Sequence, residues 1–241
     1  MMSLVLILLA SLFLTTLATF GPTVDADWAG QFPYIAKLET PSDPIDITTP
    51  ALVVSQKMVV ASSELFHSNS PASYTMTDHN LEVHQVARLV WIDDKFVVVK
   101  TCKPFGSGRF NLTLSEFFDY QADDPDAAII FFQADSLKSK STTVLSDATC
   151  DSTFGSGYSG FNTCIAQDTT ANICATYYTD SLIVPTFVHK LLLVVQGRVQ
   201  ATLRNASCDA SNSNFRQTQF RKIDKFRTNI LRIAGIVVDN P

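Results

Sequence analysis

Val59-Val60-Ala61-Ser62-Ser63-Glu64-Leu65 runs from an apolar, β-branched stretch into two serines and a carboxylate. Met58-Val59-Val60 has strand character, as does Val53-Val54 before it. The polar Ser55-Gln56-Lys57 between them reads as a turn. The same signals recur outward along the chain. Phe96 to Val99 is a β-rich run, and Ala127-Ala128-Ile129-Ile130-Phe131-Phe132 is another. Leu191 to Val195 and Val199 to Leu203 flank Gln196-Gly197-Arg198, where glycine takes a positive φ cheaply. No long segment before residue 215 has helical periodicity. Short strands bounded by turns predict an all-β fold.

In that setting Val59–Leu65 resembles the V-L-T-A-A-H-C segment of the trypsin-like serine proteases. It follows Gly30-Gln31-Phe32-Pro33-Tyr34-Ile35-Ala36-Lys37-Leu38 at the family's distance. Asp94-Lys95-Phe96-Val97-Val98-Val99-Lys100 is similar to the family's N-D-I-A-L-L-K. Cys174 through Pro185 stands where the family has C-x-G-D-S-G-G-P, and Phe220-Arg221-Lys222-Ile223 resembles its Y-T-R-V. The resemblance covers most of the chain after the N-terminus. It implies a domain over 19–241 built of two antiparallel β-barrels, one over about 25–120 and one over about 127–215. The switch falls near Tyr120–Asp126, and a C-terminal α-helix spans about 220–237.

The resemblance carries the fold further than the chemistry. Family catalysis uses a His as base, an Asp to orient it, a Ser nucleophile and backbone donors for the oxyanion. Here Glu64 stands at the His position and Lys95 at the Asp position. A carboxylate near its ordinary pKa of about 4.3 is a poor base for an alcohol. A Glu64–Lys95 salt bridge is the expectation instead. The nucleophile position is open. Counting from Cys174 gives Tyr178, matching the Asp-Ser dipeptide gives Ser181, and matching Pro185 gives Leu182. Leu182-Ile183-Val184 replaces the glycines of the oxyanion loop, and β-branched residues resist the backbone angles that loop needs.

The specificity-pocket position falls on Asn172, which is uncharged, so no preference for Lys or Arg is expected. Gly21-Pro22-Thr23-Val24 occupies the activation site, with no basic residue before it. Thr49 and Leu65 replace a cysteine pair together. The expectation is a non-catalytic homologue that binds proteins or peptides, active proteases or inhibitors among them, as decoy, cofactor or adaptor. Two rivals stand beside it: a serine endopeptidase of unusual constellation, and an extracellular anion-binding or structural protein.

With 241 residues, 46% hydrophobic and 17% charged, the chain can bury a sizeable core and is not disordered. Residues 3–14 form an apolar run, with Thr16 and Ala18 in a small-x-small arrangement. This reads as a secretory signal cleaved near residue 18, although no Lys or Arg precedes Lys37. No later segment is apolar enough to span a membrane. Five cysteines fit an oxidising compartment. The resemblance implies Cys150–Cys164 and Cys174–Cys208. Cys102 is left over and is expected to be a buried free thiol, with an intermolecular bridge as the alternative. Asn111 and Asn205 head sequons for N-glycans.

Ile223, Phe226, Ile230, Ile233 and Val237 recur at helical spacing, opposite Arg221, Lys222, Lys225, Arg227 and Arg232. Arg216 to Arg232 carries +5, which leaves −10 for the rest of a chain of net charge −5. Such a basic helix could bind a polyanion; a solvated face is the plainer reading. His67, His79, His84 and His189 show no metal-ligand spacing, so neither a metal nor a cofactor is expected. No phosphate loop or aromatic-basic nucleic-acid surface occurs.

Overall fold

The structure is a computed structural model that describes residues 23–39, 48–63, 66, 68–93, 95–106, 127–133, 135–165, 174–179, 182–187, 192–195, 198–205 and 219–235. A two-residue strand, β1 (Val24–Asp25), opens it. Six strands then close into an antiparallel barrel: β2 (Ile35–Glu39), β3 (Thr48–Ser55), β4 (Met58–Ser62), β5 (Thr75–Thr77), β6 (Val83–Ile92) and β7 (Phe96–Thr101). Their order round the barrel is β2-β3-β4-β7-β6-β5. The turn between β3 and β4 is Gln56-Lys57, close to where the polar residues place it.

The apolar runs have a physical reason. Successive strand residues face opposite sides of a sheet. In β7, Val97 and Val99 point into the barrel interior with Ala36, Leu38, Ala51, Val59, Ala61 and Met76. Phe96 and Val98 point outward, yet they are also buried. They join Ile35, Leu52, Val60, Ile130, Phe132, Ile223, Phe226 and Ile230 in a second core between the barrel and the rest of the chain. A strand buried on both faces needs no polar residue on either, so its sequence is continuous rather than alternating.

The second half contains β8 (Ala127–Gln133), β9 (Ser136–Thr142), β10 (Asn162–Cys164), β11 (Cys174–Thr179), β12 (Leu182–Phe187), β13 (Leu192–Val195), β14 (Arg198–Asn205) and β15 (Gln219–Lys222). A seven-stranded sheet runs β1-β9-β8-β13-β14-β15-β10, while β11 and β12 form a separate hairpin. The sheet thus recruits strands from outside 127–215: Val24 pairs with Ser139, and β15 lies between β14 and β10.

Two α-helices occur among the described residues. In α1 (Asp147–Phe154), the Ser146 hydroxyl caps the first turn by accepting from Thr149 N–H at 3.2 Å. The disulfide Cys150–Cys164 ties α1 to β10, with Cα atoms 5.8 Å apart. The C-terminal helix, α2 (Arg227–Ala234), is shorter than the predicted 220–237. Residues 219–222 are strand β15, and Asp224–Phe226 is a 3-10 turn. Gly235 closes α2 at φ 71°, the left-handed conformation in which glycine has no Cβ penalty. No helix among the described residues is long and apolar enough to cross a membrane.

Polar contacts also bridge the halves. Lys37 Nζ in β2 lies 2.8 Å from both Glu39 Oε1 and Asp135 Oδ1. Burial alone would lower the Lys37 pKa; the two carboxylates outweigh it and hold it raised.

Candidate functional site

The region that matters is the turn from β6 to β7, where the resemblance places a triad residue at Lys95. Lys95 N–H donates to the Ile92 carbonyl at 2.8 Å, and Asp93 takes a left-handed φ of 48° to make the turn. The Lys95 carbonyl then collects two donors. Ser63 N–H, just past the end of β4, reaches it at 3.1 Å, and Arg221 Nη1 from β15 reaches it at 3.2 Å. Helix α2 holds the same turn from another side, where Asn229 Nδ2 donates to Asp93 Oδ2 at 3.2 Å. Arg232 in turn donates to Asn229 Oδ1 at 2.7 Å. Beneath these contacts, Phe96 and Phe226 meet edge to face with ring centres 4.9 Å apart.

The Lys95 side chain is exposed, whereas Ser62 and Ser63 are buried. The Ser62 hydroxyl has no hydrogen-bond partner. Arg221 and Lys222 depart from the sequence expectation. They are not on the solvated face of a helix but on β15, 7% and 3% exposed. Lys222 Nζ lies 3.1 Å from Asp147 Oδ1 and 2.9 Å from the Ser159 carbonyl. Lys225 pairs with Asp224, while Arg227 and Arg232 are exposed. The basic surface of this segment is therefore smaller than its sequence count.

The segment matched to the nucleophile and oxyanion loop contributes an antiparallel hairpin. Its ladder runs from Cys174 opposite Phe187 to Thr179 opposite Leu182, with Tyr178 opposite Ile183 and Tyr177 opposite Val184. Consecutive N–H groups of an extended strand point to alternate sides. An oxyanion site instead needs neighbouring N–H groups turned to one point. Tyr178 and Leu182 thus lie within a strand pair. Glu64, Asn172, Ser181, Asn111 and Cys208 lie outside the described residues, so the Glu64–Lys95 and Cys174–Cys208 expectations do too. Asn205 ends β14. Cys102 forms no disulfide among the described residues, and it is exposed rather than buried as expected, because it lies just beyond β7 where the chain leaves the barrel.

Sequence reasoning passed over a second cluster, at the turn from β5 to β6. Asp78 and His84 are both buried, with His84 Nε2 3.1 Å from Asp78 Oδ2. Asp78 also accepts from the N–H groups of Asn80 at 2.9 Å, Glu82 at 3.1 Å and Gly106 at 3.4 Å. Burial pushes the Asp78 pKa up, but these N–H donors and the imidazole outweigh it and hold the carboxyl below its ordinary value. The signal is available in part, since His79 and His84 stand five residues apart in one segment. Its partner Asp78 carries no motif.

No family model matches the chain, and no curated protein matches it. Solved structures do. Kallikrein-related peptidase 10 in complex with Zn2+ matches at a TM-score of 0.60 and 15% identity, over 85% of this chain and 96% of that one. The VesB protease of Vibrio cholerae matches at 0.63 and 12%, over 88% and 67%. Neuropsin, a serine protease of mouse brain, matches at 0.60 and 13%, over 85% and 95%. The chain has the trypsin-like serine protease fold. At such identities the likeness speaks for the fold alone. The barrel, the sheet and the closing helix α2 are those of this fold, and the β6–β7 turn lies between its two halves.

Proposed function

We propose that this chain is a secreted, non-catalytic serine protease homologue that acts by binding proteins or peptides. The observation that carries the reading is the substitution of both proton-handling positions, His by Glu64 and Asp by Lys95. The extended pairing of Tyr177 to Thr179 with Leu182 to Val184 supports it, since a strand ladder does not present converging oxyanion donors. Secretion is supported by the apolar 3–14 run, the Cys150–Cys164 disulfide and the typical setting of such folds. The binding role draws support from a trypsin-like fold kept while these proton-handling residues differ.

The test uses a labelled fluorophosphonate and a broad peptide library on the purified chain. We expect neither labelling nor cleavage. Cleavage by the native chain that is abolished in Ser181→Ala would establish an endopeptidase and overturn the proposal. A second reading, polyanion binding, draws on exposed Arg227 and Arg232 beside Lys225. Retention on heparin that falls steeply with salt would favour it.

A further inference from the structure

The six-stranded barrel gathers four cations that stand apart in the sequence. Arg88 in β6 lies directly opposite Lys100 in β7. The turn between β3 and β4 adds Lys57, whose carbonyl accepts from Thr101 N–H at 2.9 Å. Lys103 is held beside them, its carbonyl accepting from the Thr101 hydroxyl at 2.7 Å. Lys57, Arg88 and Lys103 are exposed and Lys100 is half-buried. None of the four forms an ion pair among the described residues. They concentrate positive charge on a chain whose net charge is −5.

Arg88 and Lys100 share the outer face. Val97 and Val99 point into the barrel, so alternation turns Lys100 outward. The β6–β7 ladder shifts register between Val86 and Arg88. Val86 points inward, and the shift brings Arg88 out beside Lys100. Such irregularities re-aim side chains. Like charges placed directly opposite weaken a strand pair, so the fold gains nothing from this arrangement.

The start of β6 is apolar on the same side. His84 and Val86 are buried, which leaves Val83 and Gln85 facing out. Val83 is 66% exposed, and Leu81 in the turn before it is 70% exposed. Leu81 takes a φ of 64°, which a bulky side chain seldom adopts. Asp78 Oδ1 pins the turn by accepting from Asn80 and Glu82 N–H. Glu82 sits between the two apolar residues, whereas Glu39 and Asp135 are engaged by Lys37. The face is therefore polar in one direction, with cations at one end and apolar side chains beside a carboxylate at the other.

We propose that this face docks an extended acidic segment of a partner protein. The segment's carboxylates lie on Arg88, Lys100, Lys57 and Lys103, and its apolar side chains lie over Val83 and Leu81. The proposal rests on the reading of the chain as a protein-binding homologue and gives that partner its chemistry. Charge complementarity sets the direction of the segment, since Glu82 repels carboxylates from the apolar end. Val83 to Arg88 spans about 17 Å of strand, so about six to eight extended residues reach both ends. A sulfated glycan would use the cations but leave Leu81 and Val83 in water.

The test is fluorescence anisotropy of the full chain with a fluorescein-labelled peptide, a run of glutamates followed by a Leu-Val pair. We expect saturable binding that weakens about tenfold or more between about 50 and 300 mM NaCl. Arg88→Glu should also weaken it about tenfold or more. The same substitution should leave Tm unchanged or raised, because it sets a carboxylate opposite Lys100. Exchanging the peptide's Leu-Val pair for Ser-Ser should cost about threefold or more. Three results would each overturn the proposal: no saturable binding at low salt, native affinity in Arg88→Glu, or a heparin fragment that binds this face as tightly as the peptide. The fluorophosphonate and cleavage assays report on the non-catalytic reading separately, so the two ideas fail independently.

Discussion

Replacing Asp78 by Asn tests whether the β5–β6 turn is held by a buried carboxylate. The two oxygens of Asp78 divide their partners. Oδ1 accepts from Asn80 and Glu82 N–H, and Oδ2 accepts from Gly106 N–H and faces His84 Nε2. An asparagine amide keeps one acceptor and turns an NH2 toward the other pair. If the NH2 faces the backbone of Asn80 and Glu82, two donors meet a donor. If it faces His84, the imidazole can accept only by moving its proton to Nδ1, which has no partner, and Gly106 N–H is left unpaired. Either way about two hydrogen bonds to a charged acceptor are lost, each about 1.5–3 kcal/mol, with slight recovery by relaxation. We expect a loss of about 3 kcal/mol, or about 6–12 °C in Tm for a domain of this size.

The pH dependence has a definite sign. The native Asp78 pKa is lowered relative to the unfolded chain, so its contribution is complete above the unfolded value of about 3.9. It is lost as pH falls through the native value. The gap between native chain and Asp78→Asn in urea denaturation should therefore be full at pH 7 and shrink below pH 4. A gap under about 0.5 kcal/mol at pH 7 would refute the hydrogen-bond count. A gap that stays constant on acidification would refute the role of the charge.

Other perturbations follow from the same geometry. Cys150→Ala with Cys164→Ala opens a loop of 14 residues and should cost about 3 kcal/mol by urea denaturation, with β10 and α1 the first to exchange amide protons. Asp147→Ala should destabilise more than Lys222→Met: the first takes the Asp147 carboxylate from a 4%-exposed ammonium that keeps the Ser159 carbonyl, at a cost of about 3 kcal/mol, and the second leaves a half-exposed carboxylate that water can serve. The reverse order would count against a buried ion pair. Glu64→His combined with Lys95→Asp should give no detectable hydrolysis in a peptide-library assay, because a missing oxyanion donor alone costs about 100–1000-fold.

The strands were legible because this fold buries several of them on both faces. Val59-Val60-Ala61 and Phe96-Val97-Val98-Val99 serve two cores at once and are continuous apolar runs for that reason. Helix α1 was not legible, because Asp147-Ala148-Thr149-Cys150-Asp151-Ser152-Thr153-Phe154 buries little beyond Cys150. The C-terminal segment misled for a specific reason. Ile223 and Phe226 are spaced like helix positions, but a 3-10 turn also buries residues three apart, so the periodicity ran on into β15. Reading β15 as helix turned Arg221 and Lys222 outward, when as strand residues they point into partners. The Asp78–His84 pair was hidden because a turn with Leu81 at φ 64° folds six residues back on themselves, a contact that neither period 2 nor period 3.6 encodes.

The joint between the two halves is held by an apolar core, with backbone and framework contacts around it. Its core is Ile35, Leu52, Val60, Phe96 and Val98 from the barrel against Ile130, Phe132, Ile223, Phe226 and Ile230 from the other half. At roughly 1.5–3 kcal/mol for each large side chain buried, this apolar set outweighs any single polar contact across the joint. The polar staples that fix the β6–β7 turn use backbone and framework groups: the Lys95 carbonyl, Ser63 N–H, Arg221 and the Asn229–Asp93 pair. None of them draws on the Lys95 side chain. A change of the Lys95 side chain therefore leaves these contacts in place. On the proposed non-catalytic reading, exchanging a base and its orienting carboxylate would need no rebuilding of the core that brings the two halves together.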